Sequence, residues 1–436
     1  MLKDLYFGKK YAIICKANSH CRGEEDDPVI CCGSDVIYMK KQINIGSMYG
    51  VRDEDFVKGI IDEIPEKDFR DLVANGQNLL FLTIVHGSPI WEKCFARCLA
   101  MAEKYNIRVV VHDNVMNDLG MNITPEDVKK YTAGYANSPV YVGQGFHDEP
   151  SSATYPEIAK LISTYKSVYP DKMTFVNLLP MYAANFVFGD DDFETYLEDF
   201  AKIVDCEYIC TDVYPLLIDG DTKYTYDDYL RSFDIQAQLC RKYNREFRMY
   251  IQSMEFLPNR EPSLEDFRFQ VYCALSFGAR TILHFLYDVP GGAIRKDRTK
   301  KSVWSYSRTV NNELNAISDV YVQYKNVGAY TFKTEDAPVY ADFDNEYQDF
   351  DTIQSLTANE TILIGCFEKE EGAGTAFMLV NLSELQDYTV AEVEFELKDA
   401  GKVTLYQKGI PYELTPVDGK YYVVLDSGEG VFVTVE

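Results

Sequence analysis

Residues 140–150, with the sequence VYVGQGFHDEP, contain a predicted strand that ends in two adjacent carboxylates. The apolar and glycine residues of VYVGQGF are typical of a buried strand, and the proline stops it after His147, Asp148 and Glu149. If the strand belongs to a parallel barrel, these side chains face a binding crevice, because such barrels carry their chemistry at the carboxyl ends of their strands. The alternative is a solvated acidic turn that closes an ordinary strand.

Polar side chains also end most of the other apolar strands that we predict. In chain order these residues are His86, His112 with Asp113, His147 with Asp148 and Glu149, Asn177, Asp212 with Tyr214, Gln252 with Glu255, and Asp288. A buried polar group without a partner costs on the order of 1 to 3 kcal/mol, so a shared polar pocket explains the set better than separate core positions do. Each residue taken alone is more often a hydrogen-bonded structural group than a catalyst. Trp91 and Trp304, in the connections after the second and eighth strands, are placed to line such a pocket.

These polar residues follow eight apolar strands that alternate with helices. The strands read, in order, INIGSMYG, LLFLTIVHG, IRVVVHD, VYVGQGFHDEP, MTFVNLLP, EYICTDVYP, FRMYIQSMEF and ARTILHFLYD. Thr124 and Ser263, each followed three residues later by Asp, are predicted helix N-caps. The alternation predicts a (β/α)8 TIM barrel over residues 41–325. An open doubly wound sheet is the alternative, but neither GxGxxG nor GxxxxGK[ST] is present to support it.

The pattern changes near Asn326, where short alternating strands divided by Gly, Asp and Asn begin. Residues 326–436 are therefore predicted to form a small C-terminal antiparallel β-sandwich domain, for structural support or contact with sugar. Residues 1–40 carry the apolar runs YAIIC and VICC around an acidic turn and form an N-terminal segment to which we assign no place.

Composition excludes some classes of partner. The net charge of −26 and a pI near 4.6 argue against nucleic acid or an anionic membrane surface, both of which would repel the protein. The 11 cysteines are odd in number and lack CxxC spacing, which favours free thiols in a reducing compartment over a metal knuckle or a disulfide framework. No leader or membrane span is evident, so we expect a cytoplasmic protein without a cofactor or metal, and we leave a homo-oligomer open.

Several motifs resemble the retaining (β/α)8 glycoside hydrolases, especially the β-galactosidase-like members related to family 42. They are HDEPSSATYPEI after strand four, TDVYP after strand six, QVYCALSFGARTILHFLYD through strand eight, and the tail VNLSE, LYQKG and GEGVFVTVE. The resemblance implies that Glu149 is the acid/base and that Glu255, within SMEF after strand seven, is the nucleophile. It also implies a carbohydrate substrate held by the other strand-end residues. The 33 Tyr and 25 Phe agree with sugar binding, since their flat faces suit carbohydrate rings.

Two residues depart from the family's pattern. Asp148 stands where the family usually has an Asn that binds the sugar 2-hydroxyl, and its charge should raise the pKa of Glu149. Gln252 lies nearer the predicted end of strand seven than Glu255 does, so Asp212 is a second candidate for the nucleophile. The spacing of the two carboxyl groups would separate retention, at about 5 to 5.5 Å, from inversion, at roughly 6.5 to 9.5 Å.

Two other functions compete with a glycosidase. A metal-dependent hydrolase could use His86, His112, His147 and Asp113 as ligands, although the first strand lacks the HxH pair of the amidohydrolase type. A barrel that binds sugar without cleaving it is the other alternative.

Overall fold

The computed structural model describes residues 29–32, 35–38, 41–189, 192–289, 291–343, 350–385, 387–399 and 401–436. The first two ranges are the strands Val29–Cys32 and Asp35–Tyr38, which pair antiparallel. The rest of the N-terminal segment 1–40 lies outside the described residues.

Eight strands form one parallel sheet. They are β1 Asn44–Ser47, β2 Leu79–Ile84, β3 Arg108–Asp113, β4 Tyr141–Asp148, β5 Met173–Asn177, β6 Tyr208–Thr211, β7 Glu246–Gln252 and β8 Ala279–Phe285. Their spatial order is β5-β4-β3-β2-β1-β8-β7-β6, with all neighbours parallel. The outer strands β5 and β6 meet where Leu178 bridges Thr211 and donates its N–H to the Cys210 carbonyl at 2.9 Å. The sheet thus closes on itself, and the predicted TIM barrel is confirmed.

Within the described residues, each of these strands is followed by a longer helix that packs around the sheet. These helices are α1 Glu66–Ala74, α2 Pro89–Tyr105, α3 Pro125–Thr132, α4 Tyr155–Val168, α5 Phe193–Ile203, α6 Tyr229–Lys242, α7 Leu264–Ser276 and α8 Ser302–Tyr321. Both predicted N-caps are confirmed as capping boxes. Thr124 Oγ1 accepts from the Asp127 N–H at 3.2 Å, and Ser263 Oγ accepts from the Asp266 N–H at the same distance. The caps begin α3 and α7 where the sequence predicts.

Aromatic rings fill the barrel interior. The Phe81 and Phe175 ring centroids lie 4.7 Å apart, and the His112 ring lies 5.7 Å from that of Phe81. Gly145 on β4 makes room for this layer, because a Cβ there would lie 2.4 Å from His112 Cε1. Inward-facing positions therefore form a packed floor, and polar side chains at the carboxyl ends of the strands stand above it.

A methyl group at Gly145 should therefore destabilise the barrel. Gly145→Ala overpacks the ring layer and should lower the free energy of unfolding by about 1 to 3 kcal/mol. Urea unfolding measures the change. Gly134→Ala is the matched control, because its Cβ would meet nothing within 4 Å. Equal stability of the two variants would contradict this account of the interior.

The chain continues into antiparallel strands. They are β9 Tyr324–Phe332, β10 Ile353–Ala358, β11 Ile362–Lys369, β12 Thr375–Asn381, β13 Ala391–Leu397, β14 Val403–Gln407, β15 Ile410–Leu414, β16 Tyr421–Leu425 and β17 Gly430–Val435. A six-stranded sheet, β9-β11-β12-β17-β14-β15, faces a three-stranded sheet, β10-β13-β16, across a core of its own. The predicted C-terminal sandwich is confirmed.

The outer face of the six-stranded sheet packs on the barrel through α7. Phe367 and Phe432 belong to the same buried core as the barrel. Gly430 lies directly against Tyr272 of α7, where a Cβ would come within 2.4 Å of the ring. Arg268 of α7 also pairs with Glu313 of α8 at 2.6 Å, out of solvent. The sandwich supports the barrel from its side; the exact domain boundary near residue 325 stays a prediction.

Candidate active site

Asp148 and Glu149 lie at the mouth of the barrel, where β4 ends in an irregular turn. The pairing of β4 with β5 shifts register between Gly145 and Asp148, which redirects the side chains that follow. Glu149 has a φ of 46°, a conformation that few residues with a side chain adopt. Its N–H donates to the Asn177 carbonyl at 2.8 Å, which fixes the turn against β5. Such local strain is commonly found at functional sites.

Asp212 follows β6 and lies near Glu149, since the charge of Glu149 raises the pKa of Asp212. Tyr214 donates its hydroxyl to Asp212 Oδ2 at 3.4 Å. Asp148, Glu149 and Asp212 therefore form one group, which we call the carboxylate cluster.

Asn177 connects the members of the carboxylate cluster. Its Nδ2 donates to Asp148 Oδ1 at 3.2 Å, and its carbonyl accepts from the Glu149 N–H at 2.8 Å. Asn177 and Asp212 are buried, whereas Asp148 and Glu149 are exposed at the mouth. The cluster is therefore buried on the side of Asn177 and Asp212 and accessible to solvent at its rim, where Asp148 and Glu149 lie.

The environment favours protonated carboxyl groups. Burial raises the pKa of Asp212 well above its usual range, and the charges of Glu149 and Asp148 raise it further. Burial and then the charge of Asp148 raise the pKa of Glu149, although its hydrogen bond with Asp212 acts in the opposite direction. Burial raises the pKa of Asp148 as well, against the hydrogen bond from Asn177. The charge of each of the two groups, Glu149 and Asp212, affects the other. The pKa values seen in a titration therefore describe the two residues together and neither residue alone.

Aromatic side chains stand beside the carboxylate cluster. The Tyr214 ring lies 4.8 Å from the ring of Phe285 and 5.4 Å from that of Phe256. Tyr182 is 47% exposed, donates its hydroxyl to the Asp212 carbonyl at 3.3 Å, and packs edge-on against Tyr226. Flat apolar faces next to carboxylates are suited to holding a sugar ring. The sequence analysis did not name Phe285 and Tyr226. Phe285 is the last residue of β8, and its place at a strand end could have marked it as a candidate.

The histidines and Asp113 occupy different places. His112 points into the barrel, where burial lowers its pKa to about 4 and keeps it neutral. The next residue, Asp113, faces outward and accepts from the Tyr135 hydroxyl at 3.2 Å, while His86 Nε2 lies 2.9 Å from its carboxylate. His147 is partly buried, and its Nε2 has no hydrogen-bond partner among the described residues. Their role in substrate binding stays a prediction.

Glu255 and Gln252 follow different paths from the end of β7. Glu255 is exposed on the loop after β7. Gln252 is buried: its Oε1 accepts from the Leu216 N–H at 3.2 Å, and its Nε2 donates to the Arg260 carbonyl at 2.6 Å. Gln252 therefore holds two neighbouring loops in place.

The remaining predicted residues lie in other settings. Asp288 is buried in an ion pair with Arg52, and its pKa rises to about 6 because burial outweighs that pairing. Trp304 is 6% exposed and donates its indole N–H to the Tyr287 hydroxyl at 2.8 Å. Trp91 lies in the first turn of α2 and is partly exposed. Their part in substrate binding also stays a prediction.

The described residues do not form a metal-binding site. Among those residues, no group of three or more His, Cys, Asp or Glu side chains is arranged to hold a metal ion. The proposed ligands of a metal-dependent hydrolase are divided, since His112 points inward and Asp113 outward. In the same part of the chain, every helix is too short or too polar to cross a membrane.

Comparison with known proteins relates the chain to others by fold. No protein-family model and no curated protein matches it. Among solved structures it is similar to an α-amylase from Anoxybacillus, with a TM-score of 0.51 and 10% identity over 90% of this chain and 97% of that one. It is also similar to a glycoside hydrolase family 5 protein from Bacteroides vulgatus, with a TM-score of 0.52 and 9% identity over 92% of this chain and 90% of that one. At such low identity the likeness concerns the fold.

Proposed function

We propose that this protein is a glycoside hydrolase that cleaves a glycosidic bond at the mouth of the barrel. The observation that carries the proposal is the gathering of three acids at the barrel mouth: Asn177 Nδ2 donates to Asp148, the Glu149 N–H donates to the Asn177 carbonyl, and the charge of Glu149 raises the pKa of Asp212. Hydrolysis of a glycosidic bond needs one protonated and one ionised carboxyl group on the two sides of the bond. Glu149 and Asp212 are the two groups that we assign to these roles.

In this proposal Glu149 is the general acid. It lies on the exposed rim of the cluster, where a leaving oxygen can reach it, and its raised pKa keeps it protonated closer to neutral pH. Asp212 is the opposing carboxylate, and the Tyr214 hydroxyl orients it by a hydrogen bond. The exposed ring of Tyr182 would hold the sugar ring.

Glu149 is the exposed member of the pair and Asp212 the buried one. The spacing of their carboxyl groups around a bound sugar decides between retention and inversion. Retention and a preference for galactosides remain predictions from the resemblance to family 42, and Glu255 remains the rival nucleophile that the same resemblance implies.

The fold neighbours support the proposal. The two solved structures described above are an α-amylase and a glycoside hydrolase family 5 protein, so both are named for activity on glycosides. A carbohydrate substrate is the partner that this assignment implies. A cytoplasmic location and self-association stay predictions.

Activity on a panel of nitrophenyl glycosides tests the function. We expect release of nitrophenol from at least one sugar of the panel, and loss of that release in the Glu149→Gln, Asp212→Asn double variant. Activity that needs an added metal ion and survives the double variant would favour the metal-dependent hydrolase. Sugar binding without any turnover would favour the non-catalytic barrel.

A further inference from the structure

A cavity of about 610 Å³ lies at the end of the barrel where its strands begin, opposite to the carboxylate cluster. Its lining includes Glu207, Glu246 and Gly278, which stand at or next to the amino ends of β6, β7 and β8. The facing wall comes from residues 325–327 of β9 and from Glu370 just after β11. Small-molecule sites are commonly found between domains and have volumes of about 300 to 1,000 Å³, so the position and size of this cavity suit a ligand.

Four basic side chains line this cavity, although the protein as a whole carries a net charge of −26. They are Arg241, Arg245, Arg280 and Lys325. Arg241 lies at the end of α6 and donates to Asn326 Oδ1 at 2.7 Å. Arg280, on β8, donates to the Tyr324 carbonyl at 3.0 Å and pairs with Glu370. The barrel thus holds two guanidinium groups against the first strand of the sandwich.

The three acids that line the cavity have cationic partners outside its lining. The pairs are Glu246 with Arg248 at 3.3 Å, Glu207 with Lys166 at 2.8 Å, and Glu370 with Lys41 at 2.9 Å. These partners compensate the acids, so the lining cations keep most of their effect. Arg245 and Lys325 pair at 3.5 and 3.6 Å with acids that are largely exposed, and such surface pairs contribute little. The cavity is therefore a positive concave site on an acidic protein, which attracts small anions.

We propose that this cavity binds a small organic phosphate. A phosphate group accepts hydrogen bonds from several guanidinium groups at once, and the planar fork of arginine matches its oxygens. One phosphate group fills only a small part of the cavity, and Phe277 and the partly buried Val327 add apolar wall for an organic body. The net charge of the protein disfavours a polyanion such as a nucleic acid. This site is independent of the proposed glycosidase function, because it lies at the opposite end of the barrel.

Calorimetric titration with matched pairs of compounds tests the site. The probes are phenyl phosphate against phenol, glycerol phosphate against glycerol, and adenosine monophosphate against adenosine, with inorganic phosphate as a further probe. We expect at least one organic phosphate to bind about tenfold or more tightly than its unphosphorylated counterpart and than inorganic phosphate. The affinity of that compound should fall as the salt concentration rises. The compound should also raise the melting temperature, because it binds the folded protein and not the unfolded chain.

Arg241→Ala should weaken the binding of that organic phosphate by about tenfold, since a charge-assisted hydrogen bond is lost. Arg280→Lys is a second variant that keeps a positive charge beside Glu370 and removes the arginine fork, so it should weaken binding while protecting the fold. Arg231→Ala is the matched control, because Arg231 is 51% exposed on the same helix as Arg241 and lies outside the cavity lining. The control loses the same charge and should bind as wild type does.

Equal affinity for the phosphorylated and unphosphorylated compounds overturns the inference, and so does the absence of binding by any organic phosphate. Inorganic phosphate that binds as tightly as every organic phosphate overturns it too, because the cavity would then hold an adventitious ion only. Equal loss of affinity in Arg241→Ala and Arg231→Ala would show that overall charge and not this cavity is responsible. Hydrolysis of nitrophenyl glycosides is measured separately, so the proposed function can stand when this inference fails, and the reverse.

Discussion

Glu149→Gln should lower kcat for glycosides with poor leaving groups by about 10² to 10⁴-fold, the usual contribution of a general acid. Gln keeps the size of the side chain but has no proton to give to the leaving oxygen. Nitrophenyl glycosides need less acid assistance, so their bond-cleavage step should lose much less. Steady-state rates on an alkyl glycoside and a nitrophenyl glycoside of the same sugar measure the difference.

The pH profile offers a second readout of the same variant. Burial and Asp148 raise the pKa of Glu149, so activity should persist above the usual carboxyl range and fall as pH rises through the titration of the Glu149 and Asp212 pair. On nitrophenyl substrates, the activity of Glu149→Gln should not show this fall at high pH. Glu126→Gln, in the exposed first turn of α3, should behave as wild type. Equal loss on both substrate types, with folding intact, would count against Glu149 as the acid.

Asp212→Ala should lower kcat by about 10³-fold or more on every substrate, because the carboxyl group opposite the acid is lost. Azide should restore turnover by filling the vacated space. The product of rescue should be a glycosyl azide of inverted configuration, since the anion enters on the carboxylate's face and no second displacement follows. Product analysis by NMR reports the configuration.

Glu255→Ala is the matched comparison for this experiment. Because Glu255 is exposed outside the carboxylate cluster, we expect the variant to keep most of its activity and to gain nothing from azide. Rescue in Glu255→Ala and not in Asp212→Ala would transfer the nucleophile's role to the loop after β7. If neither variant loses activity, a mechanism with two carboxyl groups is wrong.

The stability of Asp212→Asn separates a catalytic carboxylate from a structural one. The folded protein raises the pKa of Asp212, so the folded state binds the proton more tightly than the unfolded chain does. The contribution of Asp212 to the free energy of unfolding is therefore complete below the pKa that Asp212 has in the unfolded chain. It declines as pH rises toward the higher pKa of the folded state. At neutral pH the neutral Asn should leave the melting temperature unchanged or higher, while activity is lost. A large fall in melting temperature would indicate that Asp212 mainly supports the fold.

Local patterns in the sequence determined the architecture. The eight apolar strands alternate with helices that bury one face each, and this periodicity is visible without any long-range information. Thr124 and Ser263 begin their helices because a capping box involves only four consecutive residues. The position of Asp148 and Glu149 at a strand end was visible for the same reason.

Tertiary structure alone decided which strand-end residues meet. Neighbouring residues of a strand face opposite sides, so His112 enters the barrel while Asp113 joins His86 on the outside. Asp288 forms a buried ion pair with Arg52, which is far away in the sequence. Neither effect can be read from strand ends alone.

The same holds for the second carboxyl group of the proposed site. The sequence analysis named Glu255 as the nucleophile and Asp212 as the second candidate, because each follows a strand on the far side of the ring. The loop after β7 leaves Glu255 exposed, whereas Asp212 stays on an inward-facing position of the barrel wall. The register shift before Asp148 then directs Glu149 toward Asp212, and it depends on how β4 pairs with β5 and not on either segment by itself.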